Sequence, residues 1–449
     1  MQKLQTSTLL KKKFTFNILD SIEVQVEVAE NPYGLPVEKL FTMAARINKK
    51  RSFLFVSKVI GKHLPIDANK GLLSAALLAA QYLESGKGIK CSETSDLLVS
   101  FFRNERFSGG VFLPAAINPV VIGFAETATA LGHAFFDNFQ SADFFHTTRE
   151  ALTCREPELT FEEEHSHATS HRCYIPKEII QNEREIILVD DEMTTGKTAL
   201  NIIQSIQSQC PRKIYTVVSI LDWRSDEHKL KFIQLEKELG ITIQTISLLA
   251  GRVQVKKLRE IEEKNKEIEW DSHFSSSIEF IQLARFFTSS KQWTERNRAE
   301  FIWETGRFGL SSQQNQSNHQ RISIAAAFLR EQRTGLKTLC LGTGEFMYIP
   351  MKFAAEMGPD VSYQSTTRSP IHVENEEGYG ARFGVTFPSP EDPEITQFVY
   401  NIPPCEYDEV FVFFEREVDP LHLKPMVTEL QKLQFKSIKF VFFSGNRGE

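Results

Sequence analysis

One stretch limits what this chain can fold into more than any other: Ile186 to Thr198, which reads Ile-Ile-Leu-Val-Asp-Asp-Glu-Met-Thr-Thr-Gly-Lys-Thr. An apolar run rich in β-branched residues predicts a buried strand, and the acids and Thr/Gly-rich segment behind it predict a polar loop at its carboxyl end. From Ala199 to Gln209 apolar residues return at helical spacing, so Thr194 to Thr198 sits at a helix N-terminus. Unpaired backbone N–H groups and the positive end of the helix dipole converge there and make an anion site.

Two phosphate-binding motifs and a neutral strand-turn-helix compete for this loop. Gly196-Lys197-Thr198 matches the end of the NTPase P-loop, but that motif needs glycine at position 191, where this chain has Asp. A carboxylate there repels a triphosphate. Asp190-Asp191 followed by Thr194-Thr195-Gly196-Lys197-Thr198 resembles instead the phosphoribosyl pyrophosphate (PRPP) signature of type I phosphoribosyltransferases. That resemblance implies that Asp190 and Asp191 hydrogen-bond the ribose hydroxyls, while Thr194, Thr195, Gly196, Lys197 and Thr198 hold the 5′-phosphate. The chemistry agrees, because a diol needs acceptors and a phosphate needs backbone donors. Glu192 and Met193 depart from the pattern, whose corresponding positions are more often both aliphatic.

At 449 residues with 41% hydrophobic content, the chain has room for two or three domains with full cores. A net charge of -6 supplies no broad basic surface, so nucleic acid is not an expected partner. Six cysteines lie far apart without a CxxC pair and read as reduced thiols. Met1 to Lys13 has no apolar signal core, and the most apolar helical run, Leu72 to Leu83, is too short to span a bilayer. The expectation is a cytoplasmic protein with no membrane partner, small-molecule substrates, and a homodimer as its candidate assembly.

Along the first half, Phe14 to Ile18 and Val24 to Val28 alternate with polar residues and predict an antiparallel hairpin at an edge of the main domain. Val37 to Asn48 reads as a helix and Phe53 to Val56 as a short buried strand. By the family likeness, a basic loop after an early strand binds pyrophosphate, which makes Ser57 and Lys58 candidates with Lys62 and His63 behind them. Val120 to Gly123 is a second strand, and its loop brings Glu126, Thr127 and Thr129 toward the site. This repeated strand-loop-helix grammar predicts a doubly wound parallel sheet with ligands beyond the carboxyl ends of its strands. Arg149, whose planar fork stays charged, is a candidate for pyrophosphate.

Leu152 to Pro176 is polar and irregular, the pattern of a lid, and it carries His165, His167 and His171. His165 and His167 are candidate catalytic groups. A zinc site is set aside because neither Cys154 nor Cys173 forms a chelating pair with them, so no residue is assigned as a metal ligand. Tyr215 to Leu221 is a strand ending in Asp222-Trp223-Arg224, which are acceptor candidates. Ile241 to Leu248 completes the domain near Gly251, and Val255 to Trp270 reads as a solvated helix.

Beyond it, residues 271–335 are polar and weakly patterned; Gly306-Arg307-Phe308-Gly309 stands out, and Ser311 to His319 reads as an exposed linker. A second alternation of strands and helices starts at Thr338, with Gly342-Thr343-Gly344-Glu345 after its first strand. Met347 occupies the third glycine position of a dinucleotide fingerprint, so no nicotinamide cofactor is inferred. Downstream, Thr367-Arg368-Ser369-Pro370 resembles the bacterial two-domain proteins in which a TRSP domain follows an orotate-like phosphoribosyltransferase. Such proteins are associated with tellurite-resistance and stress-response gene clusters and with a nucleoside-like metabolite.

Together these readings predict an α/β protein: a type I phosphoribosyltransferase-like parallel-sheet domain followed by a second, smaller α/β domain. The expected boundaries are 1–251, a connecting region 252–335, and 336–449. The resemblance implies a Mg²⁺-dependent transferase that moves ribose 5-phosphate from PRPP to a small base-like acceptor, with the metal bound largely through PRPP. Glu126, Thr127, Arg307 and Arg368 join Asp222, Trp223 and Arg224 as acceptor candidates. A regulatory protein that senses PRPP without turnover is the alternative.

Overall fold

The structure, a computed structural model, describes residues 12–47, 52–106, 110–162, 170–261 and 274–445. In the first half, Asp143–His146, Val120–Gly123, Ile186–Met193, Ile214–Asp222 and Thr242–Lys257 run parallel and side by side. Their side chains alternate between two cores. Ile187, Val189, Val218 and Ile220 pack toward the helices Ala68–Gln81 and Ala128–Phe136. Ile186, Leu188, Tyr215 and Val217 pack toward Lys197–Gln209 and Asp226–Leu239. A sheet covered on both faces needs near-continuous apolar strands, which is why Ile186 to Val189 carries no polar residue.

Both edges are closed by antiparallel strands. The hairpin of Lys12–Ile18 and Ile22–Glu30 adds to the outer edge of Thr242–Lys257, as its alternation predicts. At the other edge lies Leu310–Ser311, paired with Asp143–His146 although it is far away in sequence.

The second half holds a five-stranded sheet in the order Ser277–Gln282, Ser437–Phe442, Glu409–Phe414, Thr338–Gly342, Val361–Ser365. All its pairings are parallel. Glu409 and Lys439 form an ion pair of 2.6 Å inside this sheet, where both are fully buried.

Three expected elements differ. Of the helix expected over Val37 to Asn48, only Val37–Leu40 is helical; Phe41–Ala45 is a strand paired with Phe53–Ser57. Tertiary packing overrides helix propensity here, because the strand sets Phe41 against Phe55 and Trp223. Of the helix expected over Val255 to Trp270, residues 255–257 continue Thr242–Lys257, which needs that length to pair with the N-terminal hairpin, and residues 262–270 lie outside the described residues. Ser311 to His319 is no linker: Ser312–Glu331 is a helix, opened by a reciprocal capping box between Ser311 and Gln314.

The first half of that helix lacks an apolar pattern because its inner face is polar, whereas Ile322, Ala325, Ala326 and Leu329 bury an apolar face in the second half. Asn315 donates from Nδ2 to Asp137 Oδ1 at 2.7 Å and accepts through Oδ1 at 2.8 Å from the ring of His133. His319 Nε2 lies 3.0 Å from the same Asp137 carboxylate, which also receives the Tyr348 hydroxyl. His133 stacks on the Tyr348 ring with centroids 3.6 Å apart. The network joins the first half, through Ala128–Phe136, to the second, through Tyr348–Glu356. Burial works against ionisation of Asp137, but His319 and Lys352 override it and hold the carboxyl far below its ordinary range.

Burial pushes His133 down from 6.5 to about 4, with Asp137 opposing it. In the unfolded chain this imidazole takes up a proton near pH 6.5, and in the folded chain only near 4. Below pH 6.5 the unfolded state therefore binds more protons, and stability falls with pH until about pH 4. Urea denaturation should record a loss of about 2 kcal/mol from this histidine between pH 6.5 and pH 5. His133→Gln should flatten the slope by that amount.

Candidate active site

Ile186–Met193 delivers Asp190 and Asp191 half-buried near its carboxyl end, with the Asp191 N–H donating to Asp190 Oδ1 at 2.9 Å. The chain then turns through Gly196 at φ +71, directly ahead of the helix Lys197–Gln209. Glycine is required at that turn for two reasons. A left-handed conformation strains residues with a Cβ, and a Cβ here would lie 2.6 Å from the Phe232 ring. No acid occupies the first helical turn, so the positive end of the dipole is left uncompensated.

Asp222, Trp223 and Arg224 sit beneath this loop. Arg224 donates to Asp222 Oδ1 from Nε at 2.9 Å and to Oδ2 from Nη2 at 2.7 Å, and its guanidinium covers the Phe232 ring at 4.2 Å. Both members of the pair are buried and committed to each other. Their geometry supports Gly196 from below. Trp223 is buried and stacked on Phe55 with centroids 5.4 Å apart, so it ties the Phe41–Ser57 hairpin to the sheet.

Ser57 and Lys58 lie on that hairpin, outside the main sheet. Lys58 Nζ donates to the Glu38 carbonyl at 2.9 Å, and Ser57 Oγ accepts from the Val59 N–H. Lys62, a few residues on, reaches the site instead: its ammonium contacts the Thr127 hydroxyl. Thr127 belongs to the loop leaving Val120–Gly123 beside the acid pair, where the Phe124 N–H donates to the Val189 carbonyl at 3.2 Å. Thr147 Oγ1 accepts from the Ala125 N–H at 2.9 Å and meets His171 Nδ1 at 2.8 Å. His171 is thus a buried support, stacked on Phe161. His165 and His167 lie outside the described residues.

The second sheet points its carboxyl-end loops at those of the first. Glu345, after Thr338–Gly342, accepts from the Arg149 backbone N–H at 2.7 Å and from the Thr148 hydroxyl at 2.6 Å. Arg307 donates to Glu345 Oε2 at 2.7 Å and to Glu415 Oε2 at 2.9 Å, and also touches the Thr148 hydroxyl. It is only 2% exposed. Gly306 makes its delivery possible, with φ +86 and no room for a Cβ against the Phe144 ring. Arg368 pairs with Glu126 at 3.0 Å and lies 3.9 Å from Glu150. Glu126, Thr127, Arg149, Arg307 and Arg368 are therefore brought together, across both halves of the chain.

Burial opposes ionisation of Glu345, but Arg307, His146 and the Arg149 N–H overcome it and hold the carboxyl low. For Glu415, burial outweighs Arg307 and Arg416 and pushes the carboxyl up. Sequence reasoning missed Glu415 and Arg416. Their signal was available, since charged residues directly follow the wholly buried strand Glu409–Phe414 just as Asp190 and Asp191 follow Ile186 to Val189.

Removing the Arg307 charge strands two buried carboxylates. Arg307→Met should cost about 3–5 kcal/mol of folding stability, measured by urea denaturation at neutral pH.

Residues 40–252 match a family model described as phosphoribosyl transferase, and residues 304–430 match one described as the TRSP domain C-terminal to it. No curated protein matches. Among solved structures, adenine phosphoribosyltransferase from Saccharomyces cerevisiae, crystallised with adenine, is 13% identical; the match covers 48% of this chain and 98% of that one, with a TM-score of 0.29. The Trypanosoma brucei adenine enzyme is 13% identical over 52% of this chain and 86% of its own, with a TM-score of 0.29. Orotate phosphoribosyltransferase from Mycobacterium tuberculosis H37Rv is 14% identical over 48% of this chain and 90% of its own, with a TM-score of 0.25. The two family models together span about three quarters of the sequence, and the chain belongs to the family in which a phosphoribosyl transferase domain is followed by a TRSP domain.

Proposed function

We propose that this chain transfers ribose 5-phosphate from PRPP to a small base-like acceptor and releases pyrophosphate. The observation that carries the reading is the acid pair at the end of Ile186–Met193 followed by the Gly196 turn into an acid-free helix start. Asp190 and Asp191 accept hydrogen bonds from the ribose hydroxyls and stabilise positive charge growing at C1. Backbone N–H groups from Thr194 to Thr198 hold the 5′-phosphate.

In the reaction the bond from C1 to the pyrophosphate oxygen breaks, and that oxygen keeps the electron pair. A bond forms from C1 to an acceptor nitrogen, whose proton passes to the departing pyrophosphate or to water. Lys62, facing Thr127, and Arg149 are the cations for the leaving pyrophosphate. Among the described residues no group of three His, Cys, Asp or Glu side chains is arranged to hold a metal. The half-buried carboxylates of Asp190 and Asp191 are oxygen donors suited to a hard cation whose shell is completed by PRPP and water. When bound, Mg²⁺ neutralises charge on the leaving group. With this reading go a cytoplasmic location and a nucleoside-like product; no helix among the described residues is long and apolar enough to cross a membrane.

The test is pyrophosphate release from PRPP and Mg²⁺ in the presence of fractionated metabolite pools. Release that depends on one fraction supports the reading, and PRPP binding without release from any pool contradicts it. Asp190→Asn removes charge-assisted hydrogen bonds worth about 1.5–3 kcal/mol, so kcat/KM should fall roughly 10- to 100-fold.

A further inference from the structure

Where the second sheet faces the first, a cleft opens to solvent. Its charged lining is unbalanced. Glu150, Glu345, Glu391, Asp392 and Glu415 contribute carboxylates, against the guanidinium groups of Arg307, Arg368 and Arg416. Each of those cations is already engaged: Arg307 by Glu345 and Glu415, Arg368 by Glu126, and Arg416 by Glu391 at 3.1 Å. An anion entering here would lie among five carboxylates, with Arg307 Nε and Arg368 Nε as the guanidinium N–H groups that have no hydrogen-bond partner among the described residues.

Two acceptors in the lining are less fully used. Glu150 has Arg368 as its nearest cation, at 3.9 Å, beyond hydrogen-bond length. Burial pushes its carboxyl up against the pull of Arg416, with Glu345 adding to the shift. Gln397 is 4% exposed, lines the cleft, and its Oε1 has no hydrogen-bond partner among the described residues. A ligand that supplies an N–H gives that buried carbonyl oxygen the donor it lacks. The remaining lining includes Phe346, Phe387, Pro390 and Ile395, which suit a flat apolar body rather than a hydrated ion.

We propose that this cleft is a ligand site for a small flat cation that donates hydrogen bonds, such as an amidine, a guanidine or a protonated amino-heterocycle, with Glu150 facing its charge and Gln397 Oε1 accepting from its N–H. The site is lined by the second half of the chain and Glu150, shares Arg307 and Arg368 with the candidate active site, and takes none of its lining from Thr194 to Thr198.

Calorimetric titration of the full chain with benzamidine, and with benzoate as its charge-reversed counterpart, tests this. Benzamidine should saturate one site and benzoate should not bind. Glu150→Gln should weaken benzamidine at least tenfold. Gln397→Leu, which replaces an unpartnered amide by an apolar side chain of similar size, should weaken it several-fold and covers the case in which Glu150→Gln does not fold. Benzoate binding as tightly as benzamidine, no benzamidine binding, or benzamidine binding unmoved by the substitutions would each overturn the proposal. PRPP titrated into the same native sample separates the two readings. Loss of PRPP binding with benzamidine retained counts against the transferase alone, and the converse counts against this site alone.

Discussion

A single buried guanidinium organises the centre of this molecule. Arg307 pairs with Glu345 and Glu415 at once, and the equally buried Arg416 adds a further counter-charge near Glu415. Taking such groups out of water costs several kcal/mol for each ion unless geometry returns it. Here geometry does so through a forked donor, two acceptors and the rings of Phe301 and Phe308 nearby. Because Glu345 also accepts from Thr148 and from the Arg149 N–H, the interaction that neutralises the second half grips a loop of the first.

From that constraint follows the arrangement of the sheets. Two parallel sheets each end in loops at their carboxyl edges, the usual place for ligands in open α/β folds. Here the edges face one another, and the polar network of Asp137, His133, Asn315 and Tyr348 fastens the flank. The second half thereby supplies Arg368 to Glu126, in the loop beside the acid pair. A site that reads from the first half as complete is in fact walled by the second.

Much of this was legible from residues alone, for identifiable reasons. The strand, acids and turn at Ile186 to Thr198 are local features, and local rules read them well. Gly306 and Gly309 flanking Arg307 were visible as an oddity, though not as a clamp, because its partners Glu345 and Glu415 are distant in sequence. The first half of Ser312–Glu331 was illegible because its buried face presents Asn315 and Asn318, whereas Ile322, Ala325, Ala326 and Leu329 carried a helical spacing that went unread. Ser57 and Lys58 lie at the end of a strand that pairs with Phe41–Ala45 outside the main sheet, a placement that adjacency in sequence does not reveal. For Asp222 and Arg224, spacing in sequence could not distinguish a ligand-facing pair from one closed on itself beneath Gly196.

The two halves form one cooperative body because buried charges span them. Native-state amide hydrogen exchange measures this directly by comparing the opening free energies of Ile186–Met193 and Thr338–Gly342, the core strands of the two sheets. A shared charge network predicts a common value, set by a single global unfolding that exposes both strands together. Two well-separated values, with one sheet exchanging while the other stays protected, would contradict it.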